Sequence, residues 1–202
     1  MCVFLFGFFF GCKNREVKPL LRVAERIVAQ EPDSVFHLLS QLDFSSLESP
    51  QDRADFALLY TESLDNHHID LGSDSLLRFA WNYYTRRENH RKAAKCNFYM
   101  GLVAYNRDSL VAAGEYFAEA AYRAERGREE ALCGRIYHKW GNLYLRLGHF
   151  AEARSCYRKA LTVFRRIKNE SDENYTWGEI GRSFFMRIYR IVLCAIIGER
   201  KK

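Results

Sequence analysis

Along most of this 202-residue chain, apolar residues return every three or four positions, and short polar breaks interrupt the stripes. That period belongs to amphipathic helices with one face turned to a core. Over residues 16–30, Leu20, Val23, Ala24, Ile27 and Val28 share such a face, and Pro19 is admissible in a first turn. Glu31-Pro32-Asp33-Ser34 has helix-start chemistry, and Val35, Leu38, Leu39 and Leu42 form the inward stripe of a second helix ending near Asp43. Residues 45–51 read as a loop. A further pair is predicted over 52–66 and 73–87, with Phe56, Leu59, Tyr60 and Leu64 on one helix and Leu76, Phe79, Ala80, Tyr83 and Tyr84 on the other. Ser73 is the N-cap expected for the second of these, and the linker between them holds His67, His68 and Gly72. Strand-like alternation is scarce and only three prolines occur, so the chain reads as all-α.

From Arg91 onward residues recur by type as well as by period. Gly101, Gly141 and Gly181 lie 40 residues apart, and each follows a bulky apolar residue: Met100, Trp140 or Ile180. Self-similarity on this scale predicts helical hairpins that cannot bury their apolar faces alone and stack into a solenoid. Counting from Gly134, the residues Tyr137, Trp140, Gly141, Tyr144, Ala153, Tyr157 and Ala160 alternate large and small, with Gly148 at a turn. Small residues let paired helices approach, and the aromatic residues fill the space between them. This pattern resembles the tetratricopeptide repeat. Counting from Ala94 gives Met100, Gly101, Ala113, Phe117 and Ala120, with Asn97 and Ala104 where the family has large residues. Counting from Asn174 gives Trp177, Ile180, Gly181 and Phe184, the first helix of another repeat whose second helix does not follow in proper form. The 40-residue interval exceeds the family's usual spacing of about 34, which predicts longer helices and a longer connection near Glu125 to Glu129.

The resemblance implies a right-handed, tetratricopeptide-like α-solenoid of stacked antiparallel hairpins. The divisions expected are a leader over 1–12, an N-terminal hairpin over 13–48, a degenerate repeat-like hairpin over 49–90, repeats over 91–131 and 132–172, and an incomplete repeat or capping helix with a basic tail over 173–202. Met1 to Cys12 is almost wholly apolar and gives way abruptly to Lys13-Asn14-Arg15. Such a run is too short to span a bilayer but suits the apolar region of a signal peptide. Gly11-Cys12 resembles the lipobox of bacterial lipoproteins, which implies lipidation of Cys12 and a membrane-anchored protein of the cell envelope; the alternative is an apolar N-terminus that folds onto the first hairpin or is simply disordered, and a cytoplasmic protein. The whole arrangement resembles bacterial tetratricopeptide lipoproteins, some of which continue into a membrane helix and an output segment. The sensor portion of a truncated signalling or transcriptional regulator is therefore the second reading. At the other end, Ile191 to Ile197 is apolar and is followed by Arg200-Lys201-Lys202. This stretch could pack back on the preceding hairpin, self-associate with another chain, or lie on lipid.

Charge and candidate chemistry change this picture little. The net charge of +6 is spread along the helices, as solvated faces require, and no signature of nucleic-acid binding accompanies it. The six cysteines form no CxxC pair, and Cys96, Cys133 and Cys156 fall on helical stripes as small buried residues. Neither GxSxG, HExxH nor a glycine-rich phosphate loop occurs, so no enzyme, cofactor or metal is expected, His67 and His68 included. The family resemblance implies instead a protein or peptide partner held on the inner faces of the first helices. The positions it assigns to that role include Lys95, Phe98 and Asn106, then Arg135, His138, Asn142 and Arg146, then Arg182. The three arginines with Asn142 suit a carboxylate, and hence an acidic partner.

Overall fold

The computed structural model describes residues 17–66 and 74–199. Cys12 with its apolar leader, the His67-His68 linker, Ser73 and the tail Arg200 to Lys202 lie outside the described residues. The described residues are all-helical and contain no strand. They divide into two compact units, one up to Arg87 and one from Glu88 onward.

The first unit contains α1 (Val17–Ile27), α2 (Pro32–Ser40), α3 (Pro50–Asn66) and α4 (Ser75–Arg86). Pro32 opens α2 in its first turn, where a missing N–H costs nothing. The segment read as a loop is shorter than the sequence suggests. Phe44–Ser46 forms a 3-10 turn with Asp43 accepting from the Ser45 N–H at 2.9 Å, and Pro50 already begins α3. Leu21, Ala24, Val28, Val35, Leu39, Leu47, Phe56 and Leu59 make the core of this unit. Val23, placed on the inward stripe by its spacing, is 44% exposed, because the buried face of α1 is centred on Leu21 and Ala24. The residue at the N-cap of α4 is Asp74. Tyr84 donates its hydroxyl to Asp55, which ties α4 to α3.

The second unit contains α5 (His90–Asn106), α6 (Leu110–Gly127), α7 (Glu130–Arg146), α8 (Phe150–Arg166) and α9 (Glu170–Glu199). Each helix packs against the next in chain order, most extensively α5 on α6 and α7 on α8. The helices from α5 to α8 are 17 or 18 residues long and absorb the whole excess over the usual repeat. The connection near Glu125 to Glu129 is not longer than the others, since α6 runs to Gly127 and α7 begins at Glu130.

A backbone feature sets this spacing. Glu88, Asp108, Arg128, Gly148 and Lys168, one every 20 residues, occupy the left-handed region with φ between 51° and 75°. At the last four of these turns the following N–H returns to the carbonyl five residues back at 2.9 Å: Ser109 to Ala104, Glu129 to Ala124, His149 to Tyr144, and Asn169 to Phe164. This is Schellman closure of a helix end, and it satisfies carbonyls that would otherwise lack partners. The next turn at this interval falls at Ile188, yet α9 continues straight through it for 30 residues. A β-branched residue resists the left-handed region, and Tyr189 stands where Asn89, Ser109 and Asn169 begin the next helix.

The repeated glycines mark close approach of helices in two of their three positions. A Cβ on Gly101 would lie 2.6 Å from the Phe117 ring, and one on Gly141 would lie 2.5 Å from the Tyr157 ring. Phe117 and Tyr157 are both fully buried. Gly181 has the same sequence position, but nothing approaches its Cβ site within 4 Å. No helix crosses there because the turn at Ile188 is missing. The apolar stretch that follows does not fold back on the preceding hairpin: Phe185 is 70% exposed, and Ile188, Tyr189 and Ile191 about 60%. Trp140 and Tyr144 are half-buried and stack in series with Tyr137, ring centroids 6.3–6.4 Å apart. Cys96, Cys133 and Cys156 are buried free thiols. Burial pushes Cys133 and Cys156 up to about 11, so neither is a thiolate near neutrality.

Candidate functional site

The first helix of each hairpin in the second unit, α5, α7 and α9, carries the residues assigned to partner binding. On α7 they lie three and four apart, which aligns Arg135, His138, Asn142 and Arg146 on one face. The structure gives each a different setting.

His138 is 6% exposed. Its Nδ1 lies 2.8 Å from Oγ1 of Thr176 on α9. The Thr176 hydroxyl donates its proton to the Asp172 carbonyl at 2.7 Å, so its oxygen accepts from the Nδ1–H of His138. This fixes the tautomer and leaves Nε2 as a bare acceptor, which is buried and has no protein partner. Burial first, then the charges of Lys139 and Arg182, lower the imidazole to about 4, so it is neutral at physiological pH. The rings of Tyr157 and Tyr175 lie 5.7 and 5.1 Å away. Tyr157 is fully buried and donates to Asn142 Oδ1 at 2.7 Å, and burial raises its phenol well above the usual tyrosine range. Tyr175 by contrast is 60% exposed.

The arginines are engaged within the unit. Arg146 donates to the Tyr105 carbonyl at 3.0 Å, pairs with Asp108 at 3.0 Å and lies over the Tyr105 ring. It pins the end of α7 to the turn after α5. Arg182 pairs with the buried Glu179 at 2.5 Å, its own side chain remaining half exposed. Arg135 lies over the Phe98 ring with 4.9 Å between guanidinium carbon and centroid. Phe98 itself is fully buried against Tyr99 and Phe117 and offers no surface. Lys95 is half-buried and Asn106 is exposed at the end of α5. The structure therefore gathers His138, Asn142 and Arg182, with Tyr175, around the α7–α9 contact. Arg146 and Asn106 lie toward the far ends of α7 and α5.

Thr176 and Glu179 are the participants that repeat spacing does not single out. Glu179 was visible only as an acidic residue three before Arg182, a helix-neighbour spacing. Thr176 carries no signal of its own, since it meets His138 from 38 residues away. Among the described residues, no group of three His, Cys, Asp or Glu side chains is placed to hold a metal ion. Gly148, Phe150, Arg187, Arg190, Ile191 and Cys194 line an open cleft of about 420 Å³ elsewhere in the unit, between the α7–α8 turn and α9.

Antiparallel helices of equal length, closed by the same left-handed turn and notched by a small residue that receives a ring, define an α-helical hairpin-repeat protein. Residues 134–166, the hairpin of α7 and α8, match the family model described as Tetratricopeptide repeat. This match supports a tetratricopeptide repeat protein, a family whose general role is to hold protein partners without catalysis. No curated protein matches the chain.

Proposed function

We propose that the chain is a non-catalytic scaffold that holds an extended protein or peptide segment across α7 and α9. The observation that carries this reading is the exposed Tyr175 ring, set 5.1 Å from the buried His138 ring and on the same face of α9 as the half-exposed Arg182. Tyr175 offers a flat apolar contact of the kind that anchors interfaces. Arg182, with Lys95 and Arg135 further along, favours a segment bearing carboxylates. That preference is weaker than a count of arginines suggests, because Asp108 and Glu179 neutralise Arg146 and Arg182.

Selecting peptides from a displayed random library against the full chain tests the reading. Selected peptides should bind at least about tenfold more weakly to Tyr175→Ala and to Arg182→Ala than to the unaltered chain. Arg166→Ala, on α8, should bind them as before. Equal binding by all three variants would move the surface elsewhere. Sequences enriched in Asp or Glu would support the acidic partner, and their depletion would remove it.

The apolar run from Met1 and the switch at Cys12 support lipid anchoring at the cell envelope as the setting for this scaffold. Palmitate should label the chain in bacterial cells and fail to label Cys12→Ser; equal labelling would end that part of the proposal. No helix among the described residues is long and apolar enough to cross a membrane. Association through the apolar half of α9 is the remaining contact.

A further inference from the structure

At 3.6 residues per turn, Gly178, Gly181, Phe185, Ile188, Val192 and Ile196 fall on one face of α9. Their intervals of three and four residues are those of a two-helix seam. The opposite face buries Thr176, Glu179 and Ser183 within the unit. The seam is graded: both glycines have open space at their Cβ sites, while Phe185, Ile188, Val192 and Ile196 are between 45% and 70% exposed. Small residues thus occupy its first third and bulky ones the remainder.

The rest of the unit shows what such a notch takes. Gly101 receives Phe117, and Gly141 receives Tyr157, each from the antiparallel helix that follows the turn. In α9 the turn due at Ile188 does not form, so the residues that would have returned over Gly181 point onward along the same rod. We propose that a second copy of the chain supplies them: two α9 helices pair antiparallel about a twofold axis near residue 187.

In that register Ile196 of each copy meets Gly178 of the other, Val192 meets Gly181, and Phe185 meets Ile188. Each bulky residue faces a small one or fits beside one of middling size. A parallel pair would set glycine against glycine and leave a void. Arg187 and Arg190 lie off the seam, on the side that lines the cleft with Gly148, so no like charges meet at the axis. Phe185, Ile188, Val192 and Ile196, with Trp177 and Tyr189 at the flanks, would bury on the order of 600 Å² per copy, about the lower bound of a specific interface. The inference uses other residues than the peptide surface and stands or falls without it.

Light scattering on the full chain at micromolar concentration should give about twice 23.7 kDa. Val192→Glu, at a half-exposed position, should give the monomer mass with unchanged far-ultraviolet circular dichroism. Orientation is read by disulfide trapping in a chain with Cys2, Cys12 and Cys194 replaced by serine. Gly178→Cys mixed with Ile196→Cys should form a linked pair, and neither should link to itself. A monomer at all concentrations overturns the proposal, as does a dimer that Val192→Glu leaves intact or self-linkage of Ile196→Cys.

Discussion

Gly141 and Gly181 hold the same place in successive repeats, so alanine at each asks whether the hairpin contact or the sequence position sets the cost. At Gly141 the added Cβ would meet three Tyr157 ring carbons at 2.5, 2.6 and 3.0 Å. That ring has no room to retreat: it is fully buried, its hydroxyl is held by Asn142 at 2.7 Å, and His138 flanks it. Overpacking of this kind costs about 1–3 kcal/mol, against which alanine returns about 1 kcal/mol of helix propensity. Gly141→Ala should therefore lose up to about 2 kcal/mol. Gly181→Ala meets nothing within 4 Å and should gain about 0.5–1 kcal/mol. Urea unfolding of dilute, monomeric protein, followed by circular dichroism and by Trp140 and Trp177 fluorescence, measures both. Equal stability of the two variants, or a gain at Gly141, would refute the claim that helix approach fixes these glycines.

Lowering the pH should unfold the second unit more readily through His138, whose imidazole moves from an ordinary 6.5 to about 4 on folding. The folded state binds the proton less well, so this contribution is whole above pH 6.5 and is lost as pH falls toward 4; it amounts to on the order of 3 kcal/mol. Subtracting the pH profile of His138→Leu from that of the unaltered chain isolates it, and a difference that is flat over this range would contradict the burial argument. Lys168→Gly should add up to about 1 kcal/mol by relieving a non-glycine residue at φ 57°, and Gly148→Ala should cost at least about 1 kcal/mol at φ 75°, both read from thermal melts. Arg146→Ala should cost less than about 1 kcal/mol, since both partners of its ion pair with Asp108 are largely exposed, and the cost should shrink in high salt.

Much of this fold is legible in the chain. The stripes around Leu39, Leu59 and Ala80 place helices within a few residues of their bounds because burial follows the helical period directly. The markers from Tyr137 to Ala160 mark out one hairpin because close packing admits few residue types at each of those positions. What stays hidden depends on meetings between distant residues. Three of the five left-handed turn positions are Glu88, Arg128 and Lys168, residue types that do not announce such a conformation. Gly181 reads like Gly141, but a notch is defined by its occupant. The arginines on the candidate surface look available until Asp108, Glu179 and the Phe98 ring are seen beside them. His138 looks like any surface histidine until Thr176 covers it.

The even beat of left-handed turns frees the rims of the array from the job of holding it together. Backbone hydrogen bonds close those corners, so the charges at Asp108, Arg128 and Lys168 can be exchanged at small cost to the stack behind them. Asp108 and Gly148 lie on corners inside hairpins, and Arg128 and Lys168 on corners between them. Charge can therefore be written along either margin independently, which would let one framework be re-addressed to a new neighbour by surface changes alone.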